Sequence, residues 1–171
     1  QYLPSLGWQP AVITVEEDSF SEKDNSLLKD IPDNLKIIKT PQFDVFKIYR
    51  KITGRKLGEP LSISETVSNK NNSPAQKLSL WMRMNIFIPD ARIGWYSYGV
   101  KAAIKLIREY ESEGKKIDMI FSLGTPHSTH LIAKKVSHIS KIPYTAFLSD
   151  PWVDQAYYKS FNRRALSIKI D

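Results

Sequence analysis

The chain has 171 residues, of which 42% are hydrophobic, 25% charged and 11% aromatic, and none is cysteine. That supplies apolar material for one globular domain and excludes disorder throughout. Without Cys there is no disulfide framework, thiolate metal cluster or cysteine nucleophile, and a reducing, cytoplasmic setting is expected. No apolar run approaches the roughly 18 residues needed to cross a bilayer.

The formal net charge is +7. It is uneven: residues 1–96 carry 13 basic and 11 acidic groups, residues 97–171 carry 12 and 7. A basic second half suits an anionic partner such as a nucleotide, a phosphorylated lipid, an acidic membrane or nucleic acid. A solvated surface accounts for the same charge.

In chain order, Gln1 to Leu6 reads as the tail of a helix that Gly7 ends. Pro10 to Val15 is a β-branched apolar run, the pattern of a strand buried on both faces. A second strand is expected at Leu35 to Lys39, after the Pro32-Asp33-Asn34 turn. Residues 56–77 are rich in Ser and Asn and poor in anchors for a core, which predicts a polar flexible insertion. Ser97 to Glu113 is predicted as a helix, with Val100, Ala103, Ile104, Ile107 and Tyr110 on one buried face and Gly114 as its stop. Ile117 to Phe121 then reads as a strand.

Next, Thr125 can cap and Pro126 can open a helix running to about Lys141, with Ile132, Val136 and Ile139 as its apolar stripe. Pro143 ends it, and Tyr144 to Leu148 is expected to be a strand. Alternation of strands and helices predicts parallel winding, in which ligands bind beyond the carboxyl ends of the strands. Those ends are the loops Ser122 to Ser128 and Ser149 to Asp154.

Four separated runs occur in a familiar order: Tyr2-Leu3-Pro4 to Val15, then Phe87-Ile88-Pro89-Asp90-Ala91-Arg92-Ile93-Gly94-Trp95-Tyr96, then Asp118 to Ser122 with Pro126-His127-Ser128 and His130-Leu131-Ile132, and last Ser149-Asp150-Pro151-Trp152. Together they resemble the amino-terminal domain of glycosyltransferase family 4-like proteins. The resemblance implies an α/β fold: a Rossmann-like parallel sheet with helices on both faces, one half of a GT-B architecture. It implies retaining transfer of a sugar from a nucleotide-sugar donor to a glycan or glycolipid acceptor, with no cofactor, no bound metal and no nucleic-acid partner. The amino-terminal domain would bind mainly the acceptor.

Against the family pattern, a first strand with its Gly-rich loop and the donor domain are missing, so residues 1–171 are expected to be a single-domain fragment inactive by itself. The missing strand would be central, and self-association through the gap is an expected remedy. Peripheral contact with the inner face of the cell membrane is a further expectation, carried by Lys159, Arg163, Arg164 and Lys169 interleaved with Tyr157, Tyr158 and Phe161. The same basic residues also suit the solvated side of a helix.

Each candidate site residue has two readings. Gly124, Thr125, Pro126 and Ser128 open a helix whose N-terminal N–H groups favour an anion or acceptor oxygen, or they form a plain cap. His127 can donate a hydrogen bond or exchange a proton near neutrality. His127 and His130, three residues apart, invite a metal, but the motif itself offers no carboxylate, and a capping or core-edge role fits His130 better. Asp150 could orient a sugar hydroxyl or balance developing charge, with Trp152 stacking on the sugar; the alternative is a turn with a packing Trp. Asp90 and Arg92 could line the acceptor cleft, with Trp95 and Tyr96 as stacking surface, or form a salt-bridged loop whose aromatics pack beneath the sheet. Two functional alternatives remain: a non-catalytic α/β module binding phosphorylated ligand or nucleic acid, and a GT-B-type sugar-nucleotide epimerase.

Overall fold

The computed structural model describes residues 2–16, 26, 29, 31–32, 34–43, 74–150 and 163–170. Its strands are β1 (Ala11–Val15), β2 (Lys36–Thr40), β3 (Ile120–Gly124) and β4 (Tyr144–Leu148). Its helices are α1 (Pro74–Asn85), α2 (Tyr96–Ser112), α3 (Ser128–Ser140) and α4 (Ala165–Ile170). The expected helical tail at the start is a single 3-10 turn, Pro4–Leu6, and Gly7 closes it at φ +82°, a left-handed conformation that glycine adopts without a Cβ penalty.

The class is α/β with parallel strand pairs. β1 runs parallel to β2, with Ala11 opposite Lys36 and Val15 opposite Thr40. β3 runs parallel to β4, with Ile120 opposite Tyr144 and Gly124 opposite Leu148. Among the described residues the two ladders are separate two-stranded sheets. They are drawn together by their helices, since α2 packs on β1 and β2, α3 packs on β3 and β4, and α2 packs on α3.

That helical layer covers one face of the strands. Successive side chains point to opposite faces, so Ile13 and Val15 turn toward α2 and α3, where they join the core, while Val12 is exposed. In β3, Ser122 and Gly124 are buried and Phe121 and Leu123 exposed; Phe147 and Leu148 of β4 are exposed as well. One expectation is corrected here: β1 is not buried on both faces, since Val12 is exposed. Among the described residues the packed helices α2 and α3 lie on one side of the strands.

The core gathers Val15, Trp95, Ile107, Ile132 and Val136, with Val100, Ala103, Ile104 and Ile120 packed around them. Burying a side chain of this size contributes on the order of 1.5–3 kcal/mol, so this cluster holds both strand pairs to one layer. The helices meet closely at Gly99, where an added Cβ would lie 2.7 Å from Ile132 Cδ1. Gly114, at φ +70°, follows the end of α2 as the sequence predicts. At the end of α3 it is Lys141 that turns left-handed, at φ +62°, with its N–H donating to Ser137 O at 2.7 Å. Ile139, expected on the apolar stripe of α3, is exposed, and His130 and Ala133 take buried positions instead.

The expected insertion over 56–77 is shorter at its end than composition suggested. Residues 56–73 lie outside the described residues, but Pro74 begins α1, which continues through Lys77 to Asn85. Proline is tolerated there because its absent N–H would have had no intrahelical partner. Among the described residues no helix is long and apolar enough to cross a membrane.

Candidate functional site

The carboxyl ends of β3 and β4 are joined by side chains. Ser149 N–H donates to Gly124 O at 3.2 Å, and the Ser149 hydroxyl reaches the same carbonyl. One residue further along, the Thr125 hydroxyl donates to Asp150 Oδ2 at 2.6 Å. Parallel pairing brings the two loops side by side because it puts Gly124 opposite Leu148. Thr125 and Asp150 are both exposed. A surface carboxylate beside a hydroxyl, at the ends of two adjacent parallel strands, can accept hydrogen bonds from the hydroxyls of a polar ligand.

The helix that follows is not capped as expected. α3 begins at Ser128 with His127 at the capping position and no side-chain bond from it. Thr125 instead faces Asp150, and Pro126 stands two residues ahead of the helix. The cap comes from a distant loop: Ser128 N–H donates to Asp90 Oδ2 at 2.8 Å, and the Ser128 hydroxyl donates to Asp90 Oδ1 at 2.7 Å. The Asp90 carboxylate thus occupies the anion-favouring end of α3. Arg92 N–H also donates to Asp90 Oδ1, at 2.8 Å, closing a local turn. Asp90 and Arg92 therefore meet through the backbone of one turn, with Asp90 committed to Ser128. Trp95 is buried in the core and its indole N–H donates to Thr40 Oγ1 at 2.6 Å, while Tyr96 packs against the same cluster. These aromatics take the packing role of their two readings.

His127 is 4% exposed and His130 5%. Their ring centroids are 5.8 Å apart, and His130 Nδ1 shares a 2.8 Å hydrogen bond with Ser122 Oγ. Burial, then the neighbouring His127, hold the His130 pKa below its ordinary value near 6.5, against an opposing pull from Asp90. Both rings crowd Gly124. A Cβ there would collide with His130 Nε2 and lie 3.1 Å from His127 Nδ1, so only glycine fits beneath them. The loop bonds Gly124–Thr125 and Thr125–Pro126 are cis.

The structure thus brings Gly124, Thr125, Ser128, His127, Asp90 and Asp150 into one loop cluster. It presents Thr125 and Asp150 to solvent and withdraws His127. Trp152 lies outside the described residues. Ser122 and Ser149, which open the two loops expected to hold ligand, complete the cluster with Thr129, which was not anticipated and whose hydroxyl reaches Leu123 O and Pro126 O, each at 2.8 Å. Their signal in the sequence is a hydroxyl at each strand end and in the first helical turn, positions where Ser and Thr bond nearby backbone.

Compared with models of known families, with curated proteins and with solved structures, the chain matches none.

Proposed function

We propose that the chain is the acceptor-side domain of a retaining glycosyltransferase, a Rossmann-like half of a GT-B enzyme that moves a sugar from a nucleotide-sugar to a glycan or glycolipid. The observation that carries the reading is the Thr125–Asp150 pair, 2.6 Å apart and exposed where two parallel strands end. That is where open α/β sheets take their ligands. The four ordered motifs from Tyr2 to Trp152 support it from the sequence.

In this reading Asp150 accepts a hydrogen bond from an acceptor hydroxyl and Thr125 fixes the orientation of the carboxylate. Gly124, with no side chain, leaves room for the His127 and His130 rings behind the loop. Asp90, through Ser128, holds α3 and the Pro126–His127 segment in place, and Arg92 supports Asp90 through its backbone.

The test is sugar transfer by the complete protein, assayed by loss of donor across a panel of nucleotide-sugars. Asp150→Asn is expected to reduce turnover by at least about tenfold, the effect of removing one well-placed charged hydrogen bond. Because Asp150 is exposed, the variant should melt with the parent. Undiminished turnover in Asp150→Asn would overturn the assignment of the site.

A further inference from the structure

His130 stands behind the Thr125–Asp150 pair rather than in it. It lies on the first turn of α3, is buried, and turns both ring nitrogens to the end of β3. Nδ1 shares a 2.8 Å hydrogen bond with Ser122 Oγ. Nε2 is the atom that a Cβ on Gly124 would strike first. Ser122 and Gly124 are two residues apart and so face the same side of the strand, and one imidazole braces both.

Gly124 is also the residue on which the two loops hang. Its carbonyl closes the β3–β4 ladder, accepting the Ser149 N–H at 3.2 Å and the Ser149 hydroxyl as well. Thr125 follows Gly124 and Asp150 follows Ser149, and the Thr125 hydroxyl donates to Asp150 Oδ2 at 2.6 Å. From His130 to the exposed carboxylate there are therefore three contacts in series: the ring on Gly124, Gly124 on Ser149, Thr125 on Asp150. Successive contacts are joined by single peptide units, which leaves little slack between them.

The surroundings of the ring suit its neutral form. Burial costs an imidazolium its hydration, and the His127 ring, 5.8 Å away, adds like charge when it too is protonated. The carboxylate that acts on His130 is Asp90, which is already bonded to the N–H and hydroxyl of Ser128. β3 meets the ring with Ser122 and Gly124, β4 sets Ala146 and Leu148 opposite those two, and α2 meets α3 through Gly99. Lys134, one turn further along α3, is exposed. A second proton on His130 thus either draws Asp90 away from Ser128 or turns the ring toward water, and in both cases the brace behind Gly124 moves.

We propose that neutral His130 is a positioning residue for the Thr125–Asp150 site: its ring holds Gly124 where the Gly124 carbonyl receives Ser149, and protonating the ring releases that bond and lets Thr125 and Asp150 part. The site is then assembled at neutral pH and comes apart in mild acid while the core stays folded. His130 touches no ligand and acts through the backbone of Gly124. Its bearing on sugar transfer rests on the proposed acceptor site, whereas the coupling itself does not.

The test is amide hydrogen exchange and NMR titration of the chain from about pH 8 to pH 5, with each exchange rate divided by its intrinsic value at that pH. The Ser149 amide is expected to lose protection by about tenfold, the worth of one hydrogen bond. Its midpoint should match the titration of the His130 Cε1 proton and not those of His127 or His138, while Leu106 and Ile107 in α2 keep their protection. In His130→Asn, which cannot titrate, Ser149 protection should not change with pH; if that variant does not fold, the coincidence of midpoints in the parent decides. Sugar transfer by the complete protein, followed as loss of donor from a panel of nucleotide-sugars, should show an acid limb at the same midpoint. Ser149 protection that ignores His130, follows another histidine, or still titrates in His130→Asn would overturn the proposal. So would protection lost together at Ser149, Leu106 and Ile107, which would show that the ring supports only the fold, or transfer without an acid limb at that midpoint. A chain that transfers no sugar but whose Ser149 amide follows His130 would retract the acceptor reading and leave the coupling standing.

Discussion

Asp90 caps a helix that begins 38 residues later in the chain, binding both the backbone N–H and the hydroxyl of Ser128. Ser128 is fully buried, so these donors have no recourse to water if the carboxylate is removed. The pair fixes where α3 starts. It thereby fixes the short segment through which β3 delivers Thr125 to Asp150.

Asp90→Ala should therefore destabilise the protein by about 2–4 kcal/mol, the cost of leaving a buried N–H and hydroxyl without their acceptor and of losing a charge from the helix start. Asp90→Asn keeps one acceptor oxygen and should cost roughly half as much. Ser128→Ala removes only the hydroxyl and should cost about 1 kcal/mol. Urea unfolding of the three variants gives the ranking. An Asp90→Ala protein as stable as the parent would show that the cap contributes nothing.

Gly124→Ala tests the crowding at the end of β3. The new methyl collides with the His130 ring and sits 3.1 Å from His127 Nδ1. Overpacking of this kind costs about 1–3 kcal/mol. Because the collision is chiefly with one ring, Gly124→Ala combined with His130→Ala should be more stable than the sum of the single losses predicts. Strict additivity in thermal unfolding would place the strain elsewhere.

How much of this was legible in the sequence depends on how local each cause is. β4 and α2 lie close to where the chain pattern puts them, since an apolar run and a 3.6-residue stripe are properties of adjacent residues. β3 begins at Ile120 rather than Ile117 because the ladder to Tyr144 defines the strand, while Ile117 packs into the core from the segment before it. Ser122 and Gly124 read as turn residues, yet both point inward under the two histidines. α1 was obscured because its polar approach, ending in Ser73-Pro74, resembles loop up to the residue where the helix starts. The juxtaposition of the two strand-end loops follows from parallel winding and was anticipated. The Asp90–Ser128 cap was not, because no local pattern links residues so far apart, and neither reading of Asp90, acceptor cleft or salt-bridged loop, pointed to Ser128.

Thr40→Val examines the tie between β2 and the core. The Trp95 indole N–H donates to Thr40 Oγ1 at 2.6 Å, and the Thr40 hydroxyl in turn donates to Thr14 O at 3.3 Å. Valine preserves the shape of threonine but leaves a buried indole donor without its acceptor, at a cost of about 1–3 kcal/mol. Thr40→Ser keeps the oxygen and should lose less. If valine proves as stable as serine in chemical unfolding, the hydrogen bond is not what fixes Trp95.

Stability should also fall in mild acid, through His130. Burial and the neighbouring His127 hold its pKa in the folded protein below the ordinary value near 6.5, with Asp90 pulling the other way. Above that ordinary value the ring is neutral in both folded and unfolded chains and contributes no pH dependence. As pH falls through about 6.5 the unfolded chain takes up a proton that the folded chain resists, so stability declines until the folded-state pKa is reached. Protonation would also remove any lone pair that Nδ1 offers the Ser122 hydroxyl, 2.8 Å away. Urea midpoints measured from about pH 7.5 down to pH 5 should therefore slope downward in the parent. His130→Asn, which cannot titrate, should be less stable at neutral pH and show a shallower slope below it. A slope unchanged in His130→Asn would assign the acid sensitivity to other groups, and a parent whose stability rises as pH falls would contradict the buried, neutral state of this histidine.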